Sequence, residues 1–141
     1  MRLQKATRCA LFAVIELASA PDRQMSASDI AEKYGISSNH LAKVLRDLGR
    51  AGMVESVRGA GGGYKYSGNR RRDTLYDVIS LFEDVGAECH SSPEEGDGTA
   101  VGQALCQVTM EIDTIAEATL RSITIETLLK SIARGGFAAA S

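Results

Sequence analysis

Residues 26–66 read SASDIAEKYGISSNHLAKVLRDLGRAGMVESVRGAGGGYKY, and the fold turns on this stretch. Ser26, with Asp29 three residues on, has the form of a capping box, in which the serine hydroxyl takes an orphan backbone N–H at a helix start. The helix it opens carries Ile30, Ala31 and Tyr34 inward, and Gly35 ends it at low conformational cost. Ser37 then caps a second helix whose Leu41, Val44, Leu45 and Leu48 recur at i, i+3, i+4 and i+7 ahead of Gly52. Two helices thus meet across a very tight turn. Met53 to Val57 alternates as a strand does, Arg58 to Gly63 reads as a turn, and Tyr64 to Ser67 supplies the returning strand of a hairpin.

Upstream, Leu11, Val14, Ile15 and Ala18 give Thr7 to Ala20 a helical stripe that Pro21 and Asp22 stop. Downstream, after the basic run Arg70 to Arg72, Thr74 and Asp77 repeat the capping-box pattern ahead of Leu75, Val78, Ile79 and Phe82. Gly86 to Thr99 is rich in Gly, Ser, Pro and acid and reads as a loop. Leu105, Val108, Ile112, Ile115 and Thr119 then form the narrow seam of a helix that packs against another helix, so these four apolar residues are the expected dimer contacts. Thr124 caps a last short helix through Leu128 and Leu129, and Gly135 to Ser141 has the look of a frayed tail. The pattern is mainly α: a winged helix-turn-helix with a two-stranded wing over residues 1–84, a loop over 85–100, a long C-terminal dimerisation helix with a terminal short helix over 101–134, and a tail over 135–141.

Charge divides the 141-residue chain. Residues 1–72 hold 13 Lys or Arg against 6 Asp or Glu, a balance of +7, whereas residues 73–141 hold 3 against 12, a balance of −9. A basic half attracts polyanions by releasing their counterions. With the leucine stripe of the second helix buried, Ser38, Asn39, Lys43, Arg46 and Arg50 face outward with Ser37 and His40 at the helix start. Short polar groups at a helix N-terminus suit base edges, and cations further along suit phosphates, which points to duplex DNA. Arg58 opens the wing turn and can enter a minor groove, while glycines such as Gly59 and Gly61 let backbone approach DNA closely.

Other classes fare worse. No Ser/His/Asp or Cys/His set stands out, and the Gly-rich turn leads into a strand and not a helix, so it is no phosphate loop; an enzyme is not expected. A winged-helix module that binds protein is the remaining competitor, and the charge division opposes it. The longest uncharged run is too short for a membrane span, and the first residues lack a signal peptide's apolar stretch, so a cytoplasmic protein without a membrane partner is expected. Three widely spaced cysteines, Cys9, Cys89 and Cys106, suggest no disulfide framework.

Met1-Arg2-Leu3, the stretch from Ile36 to Val44, the wing from Val57 to Tyr64 and Ile123-Thr124-Ile125 together resemble the IscR, NsrR and CymR group of dimeric winged-helix regulators, over residues 1 to about 129. Asn39 to Lys43 is most similar to the nitric-oxide-sensing branch. The resemblance implies that the helix around Leu105 to Leu120 crosses its counterpart in a homodimer, that the dimer reads a partly palindromic operator, and that the outcome is repression. Many such regulators hold an iron-sulfur cluster on three closely spaced cysteines. Here only Cys89 matches a family cysteine, Cys106 falls about one helical turn beyond the usual last one, and Arg8 stands where some relatives place a partner-subunit carboxylate. Three readings stay open. Cys89 and Cys106, completed by His90 or by Cys9 of a second subunit, hold a cluster, with 2Fe-2S favoured over 4Fe-4S because thiols are few; or an exposed cysteine forms a redox-sensing thiol switch; or Cys9 and Cys106 are small buried hydrophobes on helical faces and Cys89 a bystander, with sensing lost or done by a small effector.

Overall fold

The structure, a computed structural model, describes residues 2–59, 61–86 and 94–135. Six helices and one hairpin follow in the order α1 (Lys5–Ser19), α2 (Ala27–Tyr34), α3 (Ser38–Arg50), β1 (Val54–Val57), β2 (Gly63–Tyr66), α4 (Leu75–Ile79), α5 (Ala100–Ser122) and α6 (Ile125–Ala133). It is the mainly α winged helix-turn-helix that the pattern implies, carrying a long C-terminal helix.

Local capping explains where most helices start. Ser26 Oγ accepts from Asp29 N–H (3.0 Å), Thr124 Oγ1 from Thr127 N–H (3.1 Å), and Thr74 with Asp77 forms a complete reciprocal box. Gly35 closes α2 at φ +65°, where any side chain is strained. Thr99, inside the expected loop, caps α5 by accepting from Gly102 N–H at 3.0 Å. The fourth helix is shorter than its apolar pattern, ending at Ile79, so Phe82 packs from the turn that follows and Leu81 is exposed.

One core joins these elements. Ala10, Val14 and Leu17 of α1, Ile30 of α2, Leu41, Val44, Leu45 and Leu48 of α3, Val54 and Tyr66 of the hairpin, Val78 of α4 and Ile125 of α6 are buried together. Each large aliphatic side chain so placed is worth about 1.5–3 kcal/mol. The antiparallel hairpin pairs Val54 with Tyr66 and Ser56 with Tyr64. A third extended piece escaped the sequence reading: Met25, in the α1–α2 connection, bridges Tyr64, with N–H···O distances of 2.9 and 2.7 Å. Ile125 N–H bonds to Asp73 O and Leu75 N–H to Ile123 O, which staples the start of α6 to the entry of α4.

Helix α5 differs from the rest. None of its 23 residues is buried. Near its C-terminal end Arg121 lies 3.7 Å over the Tyr76 ring and pairs with Glu117, fixing α5 to α4. Beyond Gly135 the expected tail lies outside the described residues, as do residues 87–93 of the loop.

Candidate nucleic-acid interface

The face of α3 is set by what its other side buries. Leu41, Leu45 and Leu48 are fully enclosed and Val44 nearly so, which leaves Ser38, Asn39, Lys43, Arg46 and Arg50 exposed on the opposite side. Ser37, also exposed, accepts from His40 N–H through Oγ (3.4 Å), so its hydroxyl is engaged in the cap. His40 is half-buried and its Nε2 is enclosed with no hydrogen-bond partner among the described residues, so the ring turns toward protein. Arg50 pairs with Asp47 at 3.5 Å. Lys43, Arg46 and Arg58 make no ion pair among the described residues. Cations left without protein partners on one face are an electrostatic footprint for a polyanion.

The wing glycines divide by role. Gly59 (φ +116°) and Gly61 (φ +77°) are exposed and hold left-handed backbone beside Arg58, also exposed. Gly62 and Gly63 are glycines for a different reason: a Cβ on Gly62 would sit 2.7 Å from Val57 O, and one on Gly63 2.6 Å from the Met25 carbonyl carbon and closer still to its oxygen. Gly63 therefore serves the Met25–Tyr64 bridge, and Gly62 the hairpin's own turn, where its N–H donates to Gly59 O at 2.9 Å. Gln24 Nε2 donates to Gly61 O (2.7 Å) and ties the wing tip to the same connection. Ala60 lies outside the described residues.

The helix-turn-helix is locked to α1 by a group the sequence reading passed over. Glu16 is buried, and its carboxylate accepts from Lys33 Nζ and from Tyr34 Oη (3.3 Å), with Arg23 at 3.8 Å. Tyr34 also stacks on Phe12, with ring centroids 5.1 Å apart. The hydrogen bond to Glu16 raises the Lys33 ammonium above its ordinary pKa, and burial raises the Tyr34 phenol. A lone glutamate in an amphipathic helix carries no local signal of burial, so only the packed structure reveals it. The basic run is partly tied down as well: Arg70 donates to Ala18 O (3.2 Å) and Arg71 pairs with Glu126 (3.7 Å).

Two of the four candidate sensor residues, Cys9 and Cys106, are among the described residues. Cys89 and His90 lie outside the described residues. Cys106, half-buried on α5, is disulfide-bonded, and a sulfur so engaged is no thiolate ligand. Cys9 is a free thiol walled into the core, and burial raises its pKa. Among the described residues no three His, Cys, Asp or Glu side chains gather as a metal-holding group. The seam residues Leu105, Val108, Ile112 and Ile115 are 62, 53, 59 and 67% exposed, with Val101 extending the row. Among the described residues no helix is long and apolar enough to cross a membrane.

A three-helix unit with an outward cationic helix and a Gly-tipped hairpin defines a winged helix-turn-helix DNA-binding protein. Residues 3–131 match the Rrf2 family, described as iron-dependent transcriptional regulators, and the chain belongs to that family. It is 57% identical over 132 residues to a protein of Rhodopseudomonas palustris named as the HTH-type transcriptional regulator BadM, covering 94% of this chain and 83% of that one. Among solved structures it is similar to CymR, the global cysteine regulator of B. subtilis (26% identity, TM-score 0.76, covering 92% of this chain and 97% of that one), and to T. potens IscR (26%, 0.77, covering 99% and 94%). The chain is a transcriptional regulator and not an enzyme.

Proposed function

We propose that this regulator acts in the cytoplasm as a homodimeric, operator-specific repressor. Residues 1–84 form its DNA-reading unit, 85–100 its sensor loop and 101–134 its dimer arm. The observation that carries the reading is the outward face of α3, where Ser38 and Asn39 stand at the helix start and Lys43 and Arg46 carry charge that no described acid answers. Asn39 and Ser38 meet base edges in the major groove; Lys43, Arg46 and Arg50 meet phosphates; Arg58 enters the adjoining minor groove. The exposed seam of α5 buries itself against a second copy, and the two-fold axis sets two recognition helices about 34–36 Å apart on a partly palindromic site.

The disulfide at Cys106 favours control by thiol oxidation. Cys106 and a second thiol lose two electrons and two protons to an oxidant such as a peroxide, and the bond formed beside the dimer arm alters operator affinity. The family's description and the likeness to IscR favour a second reading, in which reduced Cys106 joins Cys89 and His90 around an iron-sulfur cluster, 2Fe-2S before 4Fe-4S, that responds to redox state or nitric oxide. Both readings use one sulfur and exclude each other at any moment. Operator binding by fluorescence anisotropy, before and after thiol reduction, tests the first. Anaerobic purification with iron analysis and a visible spectrum, with and without nitric oxide, tests the second. A colourless, iron-free protein whose operator affinity follows thiol state supports the switch; iron and a visible charge-transfer band that nitric oxide bleaches support the cluster.

A further inference from the structure

A helix in the major groove and a wing in the neighbouring minor groove must straddle the sugar-phosphate strand that separates those grooves. Between the C-terminal half of α3 and the hairpin the structure has an open cleft of about 470 Å³, lined by Arg46, Gly49 and Arg50 on one wall and by Ser56 and Tyr64 on the other. Ser56 and Tyr64 are cross-strand partners, so both point to the hairpin face that carries Val54 and Tyr66 toward α3. The side chains of Arg46, Ser56 and Tyr64 make no hydrogen bond or ion pair among the described residues. The acids at the rim are already matched, Glu55 by Lys65 at 3.1 Å and Asp47 by Arg50 at 3.5 Å.

Gly49 makes the cleft more than a gap. It sits inside α3 and is exposed, and a Cβ there would meet only Val54 O at an ordinary 3.8 Å. Neither close packing nor a left-handed backbone requires glycine, which in a helix interior costs about 1 kcal/mol against alanine. What its missing side chain does is keep the cleft open.

We propose that this cleft is a seat for one backbone phosphate of the duplex: Arg46 and Arg50 supply charge, the Ser56 and Tyr64 hydroxyls donate to phosphate oxygens, and Gly49 leaves room for the strand. The inference rests on the DNA-reading assignment above and adds Gly49, Ser56 and Tyr64 to the interface. Such a contact positions the protein without reading sequence, so its loss weakens operator and unrelated duplex alike.

The test is anisotropy with the intact dimer on operator and on unrelated duplex, over a salt series, for Gly49→Leu, Tyr64→Phe and Arg46→Ala. Gly49→Leu fills the cleft and is expected to lower affinity at least tenfold on both duplexes while its thermal midpoint holds or rises, an opposition that a purely structural glycine does not give. Tyr64→Phe, which removes one hydroxyl, is expected to lose about fivefold to tenfold with an unchanged salt slope; Arg46→Ala reduces that slope by about one. Gly49→Leu and Tyr64→Phe both binding within twofold of wild type, while Arg58→Ala weakens binding, would overturn the phosphate seat and leave the DNA reading intact. A loss confined to the operator would overturn it too, and a wild-type protein indifferent to every duplex removes both.

Discussion

Replacing Gly63 with alanine tests whether the wing is held from behind as the structure shows. The added Cβ would lie 2.6 Å from the Met25 carbonyl carbon and 2.9 Å from Ser26 N, atoms of backbone that cannot swing aside. Restoring an ordinary contact means moving β2 from the α1–α2 connection by roughly 1 Å, enough to break the two bonds between Met25 and Tyr64. Two backbone hydrogen bonds at about 0.5–1.5 kcal/mol each, plus about 1–3 kcal/mol for overpacking, give a loss on the order of 2–6 kcal/mol. At about 3–5 °C per kcal/mol for a chain of this size, the thermal midpoint falls by roughly 6–30 °C. The assay is urea and thermal unfolding at fixed protein concentration, because dimerisation makes both concentration-dependent. Gly59→Ala is the control, since a Cβ there meets nothing within 4 Å and bears only the strain of φ +116°. A Gly63→Ala protein within about 0.5 kcal/mol of wild type would refute the close approach of β2 to Met25.

Arg58→Ala should weaken operator binding by about 1–3 kcal/mol with an unchanged unfolding midpoint, as read by anisotropy and calorimetry; unaltered affinity would mean the wing stays off the DNA. Gln24→Ala should act through the same wing, so its effect and that of Arg58→Ala should be non-additive in a double-mutant cycle, whereas simple addition would disconnect the tether from Arg58. Ile112→Asp puts a charge in the exposed seam and should yield a monomer by sedimentation with at least tenfold weaker operator binding; a persistent dimer would place the interface elsewhere. Burial, then the hydrogen bond to Asp73, raises the Tyr66 phenol pKa, so above about pH 10 the unfolded chain gives up a proton that the folded one keeps. Stability should therefore fall as pH climbs past 10, less steeply in Tyr66→Phe, and a flat urea midpoint from pH 9 to 11 would contradict this.

What was legible in the sequence was local. Ser26, Ser37, Thr74 and Thr124 announced helix starts because a cap needs only its own next three residues, and the α3 leucines announced an inner face and hence the outer one. What escaped needed distant partners. The Met25–Tyr64 bridge joins segments 39 residues apart and leaves no periodic trace, so Gly63 looked like a turn former. Glu16 gave no sign of burial, since Lys33 and Tyr34 arrive from the next helix. The burial of Cys9 in α1 was not legible either, because a stripe of small residues does not say which way one thiol turns.

The central claim is that the outer side of α3 reads duplex DNA, and the most direct measurement is operator affinity of the purified protein across a salt series, for wild type and for Asn39→Ala. The account predicts tight binding to selected genomic fragments, a steep loss with salt, and a preference over unrelated duplex that Asn39→Ala erodes. Equal, salt-insensitive affinity for every fragment, or a preference that Asn39→Ala leaves untouched, would contradict it.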